Sequence, residues 1–147
     1  MMWQLKKFEQ LKLEELYQIL KERVDIFVVE QECAYPEIDG IDPECYHLFK
    51  KDQDHLVAYA RLVPRGVLGD RPLIGRIIVN QEYRKSGYGR DLIKQAIKVI
   101  TEDWQEAEIM LHGQTYLRDF YQSFGFKQVS EPYLEDGIPH VDLVYKK

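Results

Sequence analysis

The chain has 147 residues, 45% hydrophobic and 31% charged, with a net charge of −5. That composition suits a globular protein, and the length suits one domain burying about two thirds of its unfolded surface. There is no apolar stretch near the ~20 residues of a membrane span, no signal-peptide pattern and no sustained basic stripe, so we expect a cytoplasmic protein with neither membrane nor nucleic acid as its partner.

Residues 3–8 alternate and predict a first strand. Leu13, Leu16, Tyr17, Leu20, Val24, Phe27 and Val28 recur at helical spacing and predict one amphipathic helix over residues 12–29. A Pro- and Gly-containing stretch over residues 35–43 breaks regular structure. Residues 46–50 and 56–63 read as a hairpin, residues 64–72 as a loop, and Leu73–Val79 as a central strand. Tyr88, Leu92, Ile93, Ala96, Val99 and Ile100 give the next helix its apolar face. A short buried strand at residues 109–111 leads to Thr115, read as the N-cap of a helix carrying Leu117, Phe120, Tyr121 and Phe124. Gly125 ends that helix, and residues 126–130 and 140–145 complete the sheet around a loop at residues 131–139. The alternation of elements predicts a single α/β domain over residues 1–147, its central mixed, mostly antiparallel sheet flanked by helices.

Cys33 and Cys45, the two cysteines, are expected as free thiols in a reducing compartment. Asp39, Asp42 and His47 lie near them in sequence. With no Cys-x-x-Cys and no His pair at ligand spacing, we expect no metal site.

The chemistry concentrates in Arg84-Lys85-Ser86-Gly87-Tyr88-Gly89-Arg90, between the central strand and the following helix. Backbone N–H groups at a helix N-terminus converge on one point, and the helix dipole adds roughly half a positive charge there. Gly87 and Gly89 let an anion approach the main chain, and three basic side chains add formal charge. The segment therefore reads as a diphosphate cradle. It lacks the Lys-Ser/Thr of a Walker loop and the third glycine of a dinucleotide fingerprint, although a nucleotide-binding module stays open on this motif alone.

About thirty residues on comes Phe120-Tyr121-Gln122-Ser123-Phe124-Gly125-Phe126. The order strand, Arg-x-x-Gly-x-Gly, helix, strand, Tyr-x-x-Phe-Gly-Phe resembles the GNAT N-acyltransferases. Phe27-Val28-Val29-Glu30-Gln31-Glu32-Cys33, Asp39-Gly40, His47-Leu48, Ala58-Tyr59-Ala60-Arg61-Leu62 and Glu135-Asp136-Gly137-Ile138-Pro139-His140 extend the resemblance, over nearly the whole chain, to the ElaA-like branch. The resemblance implies acetyl-CoA as donor and a primary amine of a small molecule or peptide as acceptor, with direct attack through a tetrahedral intermediate. It implies backbone pairing of Ile77, Ile78 and Val79 with the pantetheine arm, and contact of Gln114 with that arm. It further places the pyrophosphate on Arg84, Lys85, Ser86, Gly87, Tyr88, Gly89 and Arg90, and makes Tyr121 the proton donor to the leaving thiolate. A non-catalytic acyl-CoA sensor is the alternative, and a homodimer stays open.

An alkyl amine is almost wholly protonated near neutrality, so attack needs a base, directly or through water. The central strand carries no carboxylate, which departs from those GNAT enzymes that place a glutamate there. His47, Glu30, Glu32, Glu82 and His140 remain as alternatives, none singled out. Arg61 and Arg76 are expected in a structural ion pair or at the acceptor site. Glu37, Asp39 and Asp42 in one loop, with Glu135 and Asp136 in another, are expected to draw a cationic acceptor.

Overall fold

In the computed structural model, which describes residues 2–147, hydrophobic periodicity resolves into eight strands and three α-helices. These are β1 (Trp3–Lys7), α1 (Leu13–Val24), β2 (Tyr46–Asp52), β3 (His55–Val63), β4 (Leu73–Val79), α2 (Tyr88–Lys98), β5 (Glu108–Gln114), α3 (Arg118–Gln122), β6 (Phe126–Gln128), β7 (Tyr133–Glu135) and β8 (Ile138–Lys146). The sheet runs β1-β2-β3-β4-β5-β8-β6, with β7 also paired to β8. Only β4 and β5 are parallel.

β3 is buried from Leu56 to Val63, as a strand covered on both faces must be. From Ala58 to Leu62 its side chains alternate between the two faces. Ala58, Ala60 and Leu62 join Leu92, Ile93 and Ala96 of α2, together with Tyr121 and Phe126. Tyr59 joins Phe49, Ile78 and the α1-side residues Ile19 and Ile26 on the opposite face.

Three local expectations change. The helix expected over residues 12–29 is α-helical to Val24 and then widens into a π-helical turn, Asp25–Glu30. Its inward stripe is Glu15, Ile19, Arg23 and Ile26, while Leu13 and Tyr17 face solvent. Two charged side chains hold inward places because partners wait there: Glu15 accepts Lys6 Nζ at 2.8 Å and Lys51 Nζ at 3.0 Å, and Arg23 meets carboxylates described below. Thr115 does not cap α3; a 3₁₀ turn, Thr115–Leu117, comes first, and the cap position falls on Leu117. The presumed loop at residues 131–139 contains β7, joined to β8 by the tight turn Asp136-Gly137, both residues at positive φ.

Candidate active site

β4 and β5 pair at only Leu73↔Met110 and Ile74↔Leu111, then diverge. β4 also bulges: Tyr59 faces Ile78 and Arg61 faces Gly75, so Arg76 and Ile77 together oppose Ala60. Arg76 sits at φ +49° within this bulge. The divergence opens a cleft of about 870 Å³, within the roughly 300–1,000 Å³ usual for small-molecule sites.

Ile77, Ile78 and Val79 form one wall of the cleft, and Arg84, Lys85, Gly87, Tyr88, Gly89 and Arg90 close one end. Gln114 and Tyr121 lie on the β5 side. Of the site residues expected from sequence, only Ser86 is absent from the wall. Gly87 takes φ +83° just before α2, a left-handed conformation that glycine adopts without penalty, and so releases the first α2 amides toward the cleft end. Two of the three cations there are committed to the fold. Arg84 donates to both oxygens of Glu30 at 3.2 Å and to the Val79 carbonyl at 3.1 Å. Arg90 lies 4.5 Å from the Phe124 ring centroid and donates to Ser123 Oγ at 3.2 Å. Among the described residues, Lys85 makes no ion pair.

Tyr121 is buried between the rings of Phe120 and Phe126. Its ring fits because residue 113 has no side chain: a Cβ on Gly113 would stand 3.0 Å from Tyr121 Cε2. Burial, with a smaller contribution from Tyr116, pushes the phenol above its ordinary pKa, so it stays protonated near neutrality. A buried phenol on the cleft wall can donate a proton to a group arriving there.

The loop after α1 holds an ion network rather than a cation trap. Arg23 donates through Nε to Glu37 at 2.7 Å and through Nη1 to Asp42 at 2.8 Å. Arg61 pairs with Asp39 at 2.9 Å and Asp42 at 3.0 Å, and Arg76 pairs with Glu37 at 2.7 Å. Three guanidinium groups thus neutralise Glu37, Asp39 and Asp42, which overturns the expectation that these carboxylates attract an amine. Arg61 and Arg76 take the structural role. The acidic groups left on the cleft wall are Glu30, Glu135 and Asp136.

The alternatives for a base separate cleanly. His47 is buried away from the cleft, with Nδ1 2.7 Å from the Tyr59 hydroxyl and Nε2 3.0 Å from the Asp42 carbonyl; burial lowers its pKa. Glu32 and Glu82 are not on the wall, while Glu30 is, but holds Arg84. His140 is on the wall, with Nδ1 2.7 Å from the Ile138 carbonyl and Nε2 3.4 Å from Glu135. Sequence reasoning missed His112, also on the wall, 2.6 Å from Asp142. Their pairing is a matter of β5–β8 register across thirty positions, which no local signal announces.

A family model described as Acetyltransferase (GNAT) domain matches residues 9–147. A UPF0039 protein of Schizosaccharomyces pombe is 46% identical over 140 residues, covering 94% of this chain and 92% of that protein. The crystal structure of an acyl-CoA N-acyltransferase from Pseudomonas aeruginosa superposes with a TM-score of 0.93 at 35% identity, covering 99% of both chains. That of Escherichia coli ElaA superposes with a TM-score of 0.92 at 36% identity, covering 99% of this chain and all of the other. With its split sheet, its glycine turn ahead of α2 and these relatives, the chain belongs to the GNAT acetyltransferase family, in the ElaA-like branch.

Proposed function

We propose that the protein transfers an acyl group, acetyl foremost, from acyl-coenzyme A to a primary amine of a small molecule or peptide. The observation that carries this reading is the cleft itself. Beyond Ile74 the backbone of β4 has no strand partner on β5, a left-handed glycine turn opens α2 at one end, and a protonated tyrosine lines the wall. An extended amide-bearing arm with a diphosphate head fits that set of groups. Ile77, Ile78 and Val79 would pair with the arm, and Gln114, held by its 3.2 Å bond to Gln31, would contact it. The amides of residues 85–90, with Lys85 as the uncommitted cation, would hold the diphosphate. Arg84 and Arg90 would act by fixing the turn.

Tyr121 would protonate the departing thiolate, and burial keeps it in the form that can. The test is thiol release from acetyl-CoA with a panel of a polyamine, a lysine peptide and an aminoglycoside, on the wild type and Tyr121→Phe. The variant should lose about 10²–10⁴-fold in kcat while calorimetric affinity for coenzyme A stays within about twofold. Wild-type turnover in Tyr121→Phe would return that residue to a packing role. Coenzyme binding without thiol release for any amine would favour a sensor.

A further inference from the structure

We infer that His112, held by Asp142, is the base that takes the proton from the attacking amine. The inference rests on the acyl-transfer reading above and names a residue that reading leaves open.

Strand register makes the arrangement. His112 on β5 stands directly opposite Asp142 on β8, and Nδ1 lies 2.6 Å from Asp142 Oδ1. The hydroxyl of Tyr133, on β7, donates to the same oxygen at 2.6 Å. Three strands therefore converge on one carboxylate. An ionised carboxylate only accepts, so the bond places the imidazole proton on Nδ1 and leaves the lone pair on Nε2. Burial alone would raise the Asp142 pKa; the bonds from Tyr133 and His112 outweigh it and hold the carboxyl below its usual range. Burial and the bond to Asp142 raise Tyr133, which stays a donor.

Position supplies the second argument. Successive residues of β5 face opposite sides of the sheet, so His112 projects from one face while Gly113 offers the other to the Tyr121 ring. Both side chains line the cleft where β5 has parted from β4. A proton acceptor and a proton donor thus flank the opening from its two faces.

The protons balance. His112 Nε2 takes one proton from the ammonium, freeing the nitrogen lone pair that forms the C–N bond as the carbonyl π pair moves to oxygen. Collapse re-forms the carbonyl and breaks C–S, with the electron pair leaving on sulfur. Tyr121 protonates that sulfur and recovers a proton, through solvent, from the second N–H of the adduct. His112 releases its proton to solvent, so one ammonium and one thioester give one amide, one thiol and one proton.

His112→Asn keeps an N–H toward Asp142 and removes the base at Nε2. With acetyl-CoA and the amine panel, kcat/KM should fall about 10²–10⁴-fold near neutrality, and coenzyme A affinity should hold within about twofold. His112 touches Asp142 of β8 and Tyr133 of β7, while His140 and Glu135 pair with each other farther along the same wall. Asp142→Asn, which loosens the hold on Nδ1–H, should lower kcat/KM by about tenfold or more while coenzyme A affinity holds. Long-range ¹⁵N NMR of the wild type should show the Nδ1–H tautomer at His112. An Nε2–H tautomer, or His112→Asn turnover within about tenfold of wild type, overturns the assignment. Failure of the wild type to bind coenzyme A overturns the acyl-transfer reading, and this one with it.

Discussion

Arg23→Met removes the cation that joins Glu37 and Asp42 from the α1 side. Arg23 has no exposed surface and donates to Glu37 Oε2 at 2.7 Å, to Asp42 at 2.8 Å and to the Glu37 carbonyl at 3.1 Å. Breaking a buried pair from one side costs about 3–5 kcal/mol, because a desolvated charge is left behind. Here each carboxylate keeps another partner, Arg76 for Glu37 and Arg61 for Asp42, so the low end of that range applies. In a chain of this length about 3 kcal/mol lowers Tm by roughly 6–12 °C. The network changes from three cations and three anions to two and three, and the excess negative charge can be relieved by protonating a carboxyl. The loss should therefore shrink as pH falls from 7 toward 4.5. Thermal unfolding followed by circular dichroism at both pH values measures it, and Arg23→Met/Glu37→Gln, which restores the charge balance, should recover part of the loss. A Tm within 2 °C of wild type at pH 7, or a loss of equal size at both pH values, would refute the account.

Gly113→Ala sets a methyl 3.0 and 3.1 Å from two Tyr121 ring carbons, inside ordinary contact, so the ring must retreat by about 0.5 Å or more; kcat should drop about tenfold or further, with overpacking costing about 1–3 kcal/mol, measured by steady-state kinetics and chemical denaturation. Burial would raise Glu15, but bonds from Lys6, the Lys12 amide and Lys51 hold it down to about 2. Its stabilisation is complete above an unfolded pKa near 4.5 and is lost as pH falls toward 2, so Glu15→Gln should be less stable than wild type at pH 7 and lose less on acidification, read as Tm against pH.

What the sequence discloses follows the range of the interaction. Alternation marks β3 and β4, and the glycine turn marks the start of α2, because these depend on neighbours a few positions away. α1 shows where such reading misleads. The more numerous apolar residues suggested an inward face including Leu13 and Tyr17, yet the inward stripe is Glu15, Ile19, Arg23 and Ile26, spaced by four, four and three. Charged residues at those positions signalled buried partners, but the partners lie up to 36 positions away, as with Lys51. The acidic loop was misread for the same reason: Asp39 and Asp42 look like a surface cluster until the fold delivers Arg61. β7 escaped notice because three residues cannot display a period, although Asp136-Gly137 carries the signature of a hairpin turn. His112 and Asp142 meet only after β5 and β8 have found their register.

The narrow junction of β4 with β5 also has a mechanical meaning. β1–β4 and β5–β8 are two half-sheets whose backbones are stitched together at two residue pairs, with α2 packed on β2–β4, α3 on β5 and β6, and one apolar cluster running beneath both. Ladders elsewhere in the sheet run to seven pairs, as between β5 and β8. Opening is therefore expected to begin along this seam in the unliganded domain, with those amides of Gly75–Val79 that point into the gap, rather than to β3, exchanging first. A strand-like ligand in the gap would supply the missing rungs and couple the unfolding of the two half-sheets.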